Sequence, residues 1–318
     1  MIGCGDVALR AARLLSPNFR LYGLTRHRDQ HAALRAAGVV PIAGDLDFVR
    51  SLSRLRLSPY AVLHCAPPPA SGEDDARTRN LIAALASARS LPRRFVYIST
   101  SGVYGDCAGA RVDETRRRAP ATARARRRVA AENRLRRWAR ARRPRLSIMR
   151  APGIYSEDRL PLARLLEGTP ALAPVDDVYT NHVHAEDLAR ACVAAIKRGL
   201  PQRAYNVSDD AELKMGEYFD LVADACKLPR PPRIAAHEAA DVLPPMLLSF
   251  MRESRRLVNA RAKRELRWRL AYPTPGALLS LLPRGGLGMK EPDPLLPRGE
   301  GLGMREALSP RLSKSPMP

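Results

Sequence analysis

The chain opens Met1-Ile2-Gly3-Cys4-Gly5-Asp6-Val7-Ala8, the first spacing in it that carries chemistry. A G-x-G-x-x-A run at a strand-to-helix junction cradles a pyrophosphate. Gly3 makes the tight turn, Gly5 lets backbone amides reach the phosphates, and Ala8 allows close helix–strand packing. Gly3, Cys4, Gly5, Asp6 and Val7 are therefore candidate cofactor-binding residues, with the phosphates on the N-terminus of a helix over Asp6–Leu15. The next strand ends Thr25-Arg26-His27-Arg28, with no acid before Asp29. A site for NAD places Asp or Glu there to bond the ribose 2′-hydroxyl, whereas Arg26 and Arg28 suit a 2′-phosphate. NADP is favoured over NAD, with Arg26 as a contact. Gly44-Asp45-Leu46 and Ala66-Pro67-Pro68-Pro69 close two further strands, and strand C-termini are where open α/β sheets hold ligands. Asp45, Leu46, Ala66 and Pro67 join the candidate list, and Asp45 also suits the N-cap of the helix that follows.

These residues need a parallel sheet behind them. Apolar runs predict strands at Arg20–Thr25, Val39–Ala43, Ala61–Ala66, Phe95–Thr100 and Leu146–Arg150. Helical periodicity covers Asp6–Leu15, Asp29–Ala37, Asp47–Leu55, Asp74–Arg89 and Ala121–Arg140. That alternation predicts an α/β fold, a Rossmann-like doubly wound parallel sheet in residues 1–150. Only Met1 and Ile2 precede Gly3, where about five strand residues are usual. The expectation is a truncated central strand or a start lying upstream. Residues 151–281 read as a small C-terminal α+β lobe on the substrate side. It has strands near Tyr179–Val183 and Tyr205–Val207, and helices at Ala185–Arg198, Met215–Cys226 and Glu253–Leu266. Residues 282–318 read as a disordered tail, because positions 283–318 hold seven prolines and six glycines around an approximate repeat.

Composition sets the outer bounds. Of 318 residues, 45% are hydrophobic, enough for a core, and no apolar run approaches the roughly 20 residues of a membrane helix. No secretory leader is read, and five scattered cysteines lack metal-site spacing, so a cytoplasmic protein without a metal is expected. The net charge is +22, but 48 of the 54 basic residues are arginine and no lysine precedes Lys197. Such a skew fits a GC-rich genome as well as it fits an anionic partner. Residues 111–145 concentrate it, with 15 arginines against Asp113, Glu114 and Glu132. One aromatic, Trp138, gives no stacking platform, and no DNA- or RNA-binding signature accompanies the run. Nucleic acid is thus an unlikely partner.

With these pieces in place, residues 1–280 resemble the short-chain dehydrogenase/reductase superfamily, in its extended and atypical branch of NAD(P)-dependent epimerases and dehydratases. The carriers are the glycine motif, Gly44-Asp45-Leu46, Thr78-Arg79-Asn80-Leu81 and Phe95-Val-Tyr-Ile-Ser-Thr-Ser-Gly-Val-Tyr-Gly105. Arg150-Ala-Pro-Gly-Ile-Tyr155, Asn181-His-Val-His-Ala-Glu-Asp-Leu188 and Tyr205-Asn-Val207 complete the set. The resemblance implies that Thr100 bonds the reacting substrate oxygen beside the nicotinamide. It also implies that Ser101, Tyr104, Asn181 and His184 line the substrate pocket, and that the arginine-rich helix can serve a homodimer. Its acid/base is a Tyr with a Lys four residues later. Counting back from Glu132 puts Arg128 at the Lys position and Arg124 at the Tyr position. Arg128 keeps a fixed charge for the cofactor ribose, but Arg124 cannot exchange a proton near neutrality. The implied function is an NAD(P)-dependent oxidoreductase or epimerase acting on a hydroxyl or carbonyl of a sugar-nucleotide-like or other small substrate. The alternative is a non-catalytic NAD(P)-binding sensor or regulator, and a weaker one is a nucleic-acid-associated protein.

Overall fold

Helix α1 (Asp6–Leu15) forms because Val7, Ala8, Ala11, Ala12 and Leu15 recur along one face, and all are buried. That face lies on a parallel sheet described by a computed structural model over residues 1–55, 59–87 and 91–282. The proline- and glycine-rich segment 283–318, expected to be a tail, lies outside the described residues.

Strands β1 (Leu21–Thr25) and β2 (Val39–Ala43) pair in parallel along their whole length. Strands β3 (Ala61–His64) and β4 (Arg94–Thr100) pair likewise, and β4 continues to Arg145–Ala151 and then to Arg203–Asn206. Between the two halves stands a single residue. Ile2 bridges Leu24 on one side and His64 on the other, its N–H donating to Leu63 O at 2.8 Å and its carbonyl accepting from Cys65 N at 2.8 Å. The spatial order is therefore β2, β1, Ile2, β3, β4, Arg145–Ala151, Arg203–Asn206, a doubly wound Rossmann-like arrangement whose central position is one residue long. One face is covered by α1 and the helix Ala185–Arg198. The other is covered by α3 (Ala76–Ala86) and α4 (Ala123–Arg142). Burial on both faces explains the unbroken apolar run of β4.

The division at residue 150 needs correcting, because the last strand and the helix Ala185–Arg198 both return to the sheet from beyond it. What remains forms a lobe around Tyr155, Leu165, Leu172, Phe219, Val222 and Met251. The helix expected over Glu253–Leu266 is also corrected. Arg256–Leu257 pairs with Arg111–Val112 as a short strand, and the Asn181 amide takes both Arg255 O and Leu257 N. These bonds draw the segment out of helical register until Ala260, where a helix runs to Leu266. The segment predicted helical at Asp47–Leu55 is a tighter 3₁₀ turn over Val49–Leu55. Helix α2 (His31–Ala36) is shorter than its periodicity suggested.

Candidate functional site: a dinucleotide cleft at the strand C-termini

The glycine loop leaves the sheet at Ile2 and turns at Gly3, whose φ is +81°. A Cβ there would lie 2.6 Å from the Ala66 nitrogen, so this position requires glycine. Gly5 differs. It is the N-cap of α1 with no side-chain cap, and a Cβ built on it meets nothing within 4 Å. Uncapped first-turn amides beneath open space form an anion seat, so these residues fit a dinucleotide pyrophosphate. The neighbouring side chains face elsewhere. Cys4 Sγ points back to Leu24 O at 3.6 Å, and Val7 is in the core, so only their amides remain to meet an anion. The Asp6 carboxylate is neutralised by Arg10, 2.7 Å away, with Arg159 at 3.8 Å.

The flanking loops form the walls. Asp45 Oδ1 accepts from Asp47 N at 2.9 Å, a local turn that starts the 3₁₀ segment. Leu46 is buried, and its carbonyl is held by Asn80 Nδ2 at 2.8 Å. Ala66 N donates to Ile2 O at 3.0 Å, and the Pro67 carbonyl accepts from Arg77 at 3.2 Å. At the end of β1, Arg26 and Arg28 are exposed, and Arg26 Nε donates to His27 Nε2 at 3.0 Å.

Thr100 ends β4 nearly buried, its Oγ1 accepting from Gly102 N at 3.2 Å. That bond fixes the oxygen and leaves the hydroxyl hydrogen to donate. Ser101 is buried beside it. The three other residues expected in the substrate pocket make bonds of their own. The Tyr104 hydroxyl donates to Asn206 Oδ1 at 2.7 Å and accepts from Arg150 Nη1 at 2.8 Å. Both roles of that hydroxyl are filled, and burial raises its pKa to about 12. Asn181 uses its whole amide on the 255–257 backbone. His184 is fully buried, caps the helix Ala185–Arg198 by accepting Glu186 N at 3.2 Å, and packs on Tyr272 at 3.7 Å.

A pH dependence follows from two other buried histidines. His182 stacks on Tyr218 at 3.9 Å, and burial lowers its pKa from 6.5 to about 3. Burial lowers that of His64 to about 4. Both folded values lie below the unfolded one, so below 6.5 the unfolded chain binds protons that the folded chain refuses. Stability is full above that pH and falls on acidification, by about 2 kcal/mol per histidine at pH 5. Urea midpoints measured from pH 7.5 to 5 should fall more steeply in the wild type than in His182→Phe, which removes the His182 share of that loss. Equal slopes in the two proteins would overturn the assignment of His182 as a neutral buried group.

Sequence reasoning did not find the buried network behind Thr100. Ser99 donates to Glu132 at 2.7 Å, and Arg150 donates to the same carboxylate from Nε at 3.1 Å and Nη2 at 2.8 Å. The Lys-position residue, Arg128, is 5% exposed and donates from Nη1 to Ile98 O at 2.8 Å and to the Tyr97 hydroxyl at 3.2 Å. Its guanidinium thus bonds the end of β4 through Nη1. The Tyr-position residue, Arg124, lies over the Phe250 ring at 4.2 Å. A groove of about 360 Å³ is lined by Ala121, Thr122, Pro245, Leu248, Arg252 and Glu253. The arginine-rich helix spends much of its charge internally. Arg126 pairs with Glu73 at 2.8 Å, Arg134 with Asp74 at 2.9 Å, and Arg127 bonds Gly72 O at 2.6 Å. All three strap the loop after β3. Among the described residues no helix is long and apolar enough to cross a membrane, and no cluster of metal-ligating side chains occurs.

No curated protein sequence matches the chain. A functionally unknown conserved protein from Silicibacter pomeroyi is 32% identical, with a TM-score of 0.70 over 88% of this chain and 95% of that one. A nucleoside-diphosphate-sugar epimerase from Pseudomonas aeruginosa superposes with a TM-score of 0.73 at 18% identity, covering 88% and 93%. A UDP-glucuronic acid 4-epimerase from Bacillus cereus, solved in complex with NAD, gives 0.66 at 15% identity over 87% and 95%. These last two share the fold. Residues 9–208 match the family description NAD dependent epimerase/dehydratase, and with the glycine loop, the sheet order and this cleft in place, the chain belongs to that family.

Proposed function

We propose that this protein binds NAD(P) in the cleft above Gly3 and Gly5 and acts on a hydroxyl or carbonyl of a sugar-nucleotide-like small substrate. The observation that carries the reading is the uncapped N-terminus of α1 beneath open space at Gly5. When bound, the nicotinamide supplies a hydride acceptor or donor. Thr100, anchored through Gly102 N, directs its hydroxyl hydrogen at the substrate oxygen and polarises it. Within the dinucleotide class NADP is preferred, because Arg26 and Arg28 stand where a 2′-hydroxyl reader would carry an acid. A second reading, cofactor sensing without turnover, is favoured by Arg124 and Arg128, which put no proton-exchanging group at the two positions where the family keeps its Tyr and Lys.

Fluorescence titration with NADPH and NADH tests the reading. Saturable binding is expected, tighter for NADPH, and Arg26→Asp should reverse the order of affinities. No saturation with either nucleotide would end it. Turnover of cofactor against a panel of UDP-sugars then separates catalysis from sensing, and loss of turnover in Thr100→Val is the signature of the first.

A further inference from the structure

Arg77 stands in the first turn of α3, outside every motif described above. Its Nε and Nη2 grip the two carboxylate oxygens of Asp47 at 2.8 and 2.9 Å. Its Nη1 donates to Pro67 O at 3.2 Å and to Pro68 O at 3.3 Å. Asp47 belongs to the loop after β2, and the two prolines belong to the loop after β3. The sheet places β1 and Ile2 between those strands, so the strands stand about 14 Å apart at the usual spacing, yet their loops converge on one guanidinium. The two loops flank the C-terminal ends of β1 and Ile2, where the glycine loop begins. One side chain ties them together.

We infer that Arg77 is a positioning residue that fixes the spacing of the two walls around the adenosine half of the dinucleotide. The inference rests on the cofactor reading above. The geometry suits guanidinium alone, since a planar fork meets a carboxylate with two parallel bonds and still aims a third N–H at the opposite wall. A lysine offers one point charge and cannot hold both. The Arg77 hydrogen bond is the main reason that the Asp47 carboxyl lies below the usual carboxylate range. Asn80, nearly one turn further along α3, adds a second tie to the Asp45–Asp47 wall through Leu46 O. Arg77 is 15% exposed and Asp47 36%, so neither is sealed into the core, and removing the clamp need not unfold the sheet.

The test uses the full chain and two probes, NADPH and reduced nicotinamide mononucleotide, which lacks the adenosine half. Arg77→Leu should weaken NADPH by about tenfold, the size of a lost charge-assisted contact, and leave the mononucleotide unchanged. Arg77→Lys should rescue little, and Asp47→Asn should weaken NADPH in the same direction without adding to Arg77→Leu. Thermal melts of each variant separate this pattern from unfolding. Equal weakening of both probes, or NADPH affinity at the wild-type value in Arg77→Leu, would overturn the inference. Failure of wild-type protein to bind NADPH or NADH would instead remove the cofactor reading, and the inference with it.

Discussion

Gly3→Ala should melt about 5–15 °C below the parent protein and lose saturable NADPH binding. Two effects act at one atom. The φ of +81° costs an L-residue about 1–2 kcal/mol. The new methyl would also lie 2.6 Å from Ala66 N and 2.7 Å from Ala66 Cα, both backbone atoms. They cannot move aside cheaply. Ala66 N and Cys65 N both donate to Ile2 O, and β3 is bonded to β4 on its far side. Overpacking of this kind adds about 1–3 kcal/mol. The distortion falls beside Ile2, which bridges Leu24 on one side and His64 on the other. Gly5→Ala is the paired control. Its methyl meets nothing, so the fold should survive while the phosphate seat is filled and binding weakens. Differential scanning fluorimetry and NADPH titration on both variants check this. A Gly3→Ala protein that melts and binds like its parent would show that the turn relaxes.

Much of the frame was legible because it rests on local pattern. The limits of α1, β2 and the helices Ala185–Arg198 and Met215–Cys226 follow from periodicity alone. The phosphate loop was legible because glycine is the one residue that tolerates its turn. The bonding of the substrate-side residues was not. The fate of Tyr104 depends on Arg150, 46 residues away, and on Asn206, 102 residues away. Nothing in its local sequence distinguishes a pocket tyrosine from one whose hydroxyl is saturated. The partners of Asn181 were hidden for a similar reason, since they lie 74 and 76 residues further on. Arg77 was hidden differently. Among 48 arginines a single guanidinium with a defined task has no compositional contrast. Arg128 was singled out by its spacing from Glu132, but its bonds at the end of β4 appear only once the helix is docked on the sheet.

Glu132→Ala should destabilise the protein by about 3–5 kcal/mol, the usual consequence of stranding one member of a buried ion pair. Glu132 is fully buried and accepts from Ser99, Arg150 and Arg118, while the Arg150 side chain is 3% exposed. Removing the carboxylate leaves that guanidinium with Tyr104 as its remaining partner. Arg150→Met should cost a similar amount for the mirror reason. The double variant Glu132→Leu with Arg150→Met should recover part of the loss, because replacing both charges removes the desolvation penalty along with the attraction. The pair also has a pH signature distinct from that of the histidines. Burial alone would raise the Glu132 carboxyl, but the adjoining Arg150 guanidinium overrides this and holds it below the usual glutamate range. A folded value below the unfolded one gives stabilisation that is complete above the unfolded value and is lost as pH falls through the folded one. The wild type should therefore show a further acid limb below about pH 4.5 that the double variant lacks. Urea denaturation of the four proteins at pH 7 and 4 measures both effects. Strictly additive single-variant costs, or an acid limb persisting in the double variant, would mean that the pair is not the unit of stability. Ser99, which donates to Glu132, directly precedes Thr100, so the pair holds the end of β4 where the substrate oxygen would be met. A double variant that stays folded but no longer responds to Thr100→Val in turnover would trace the positioning of Thr100 to this ion pair.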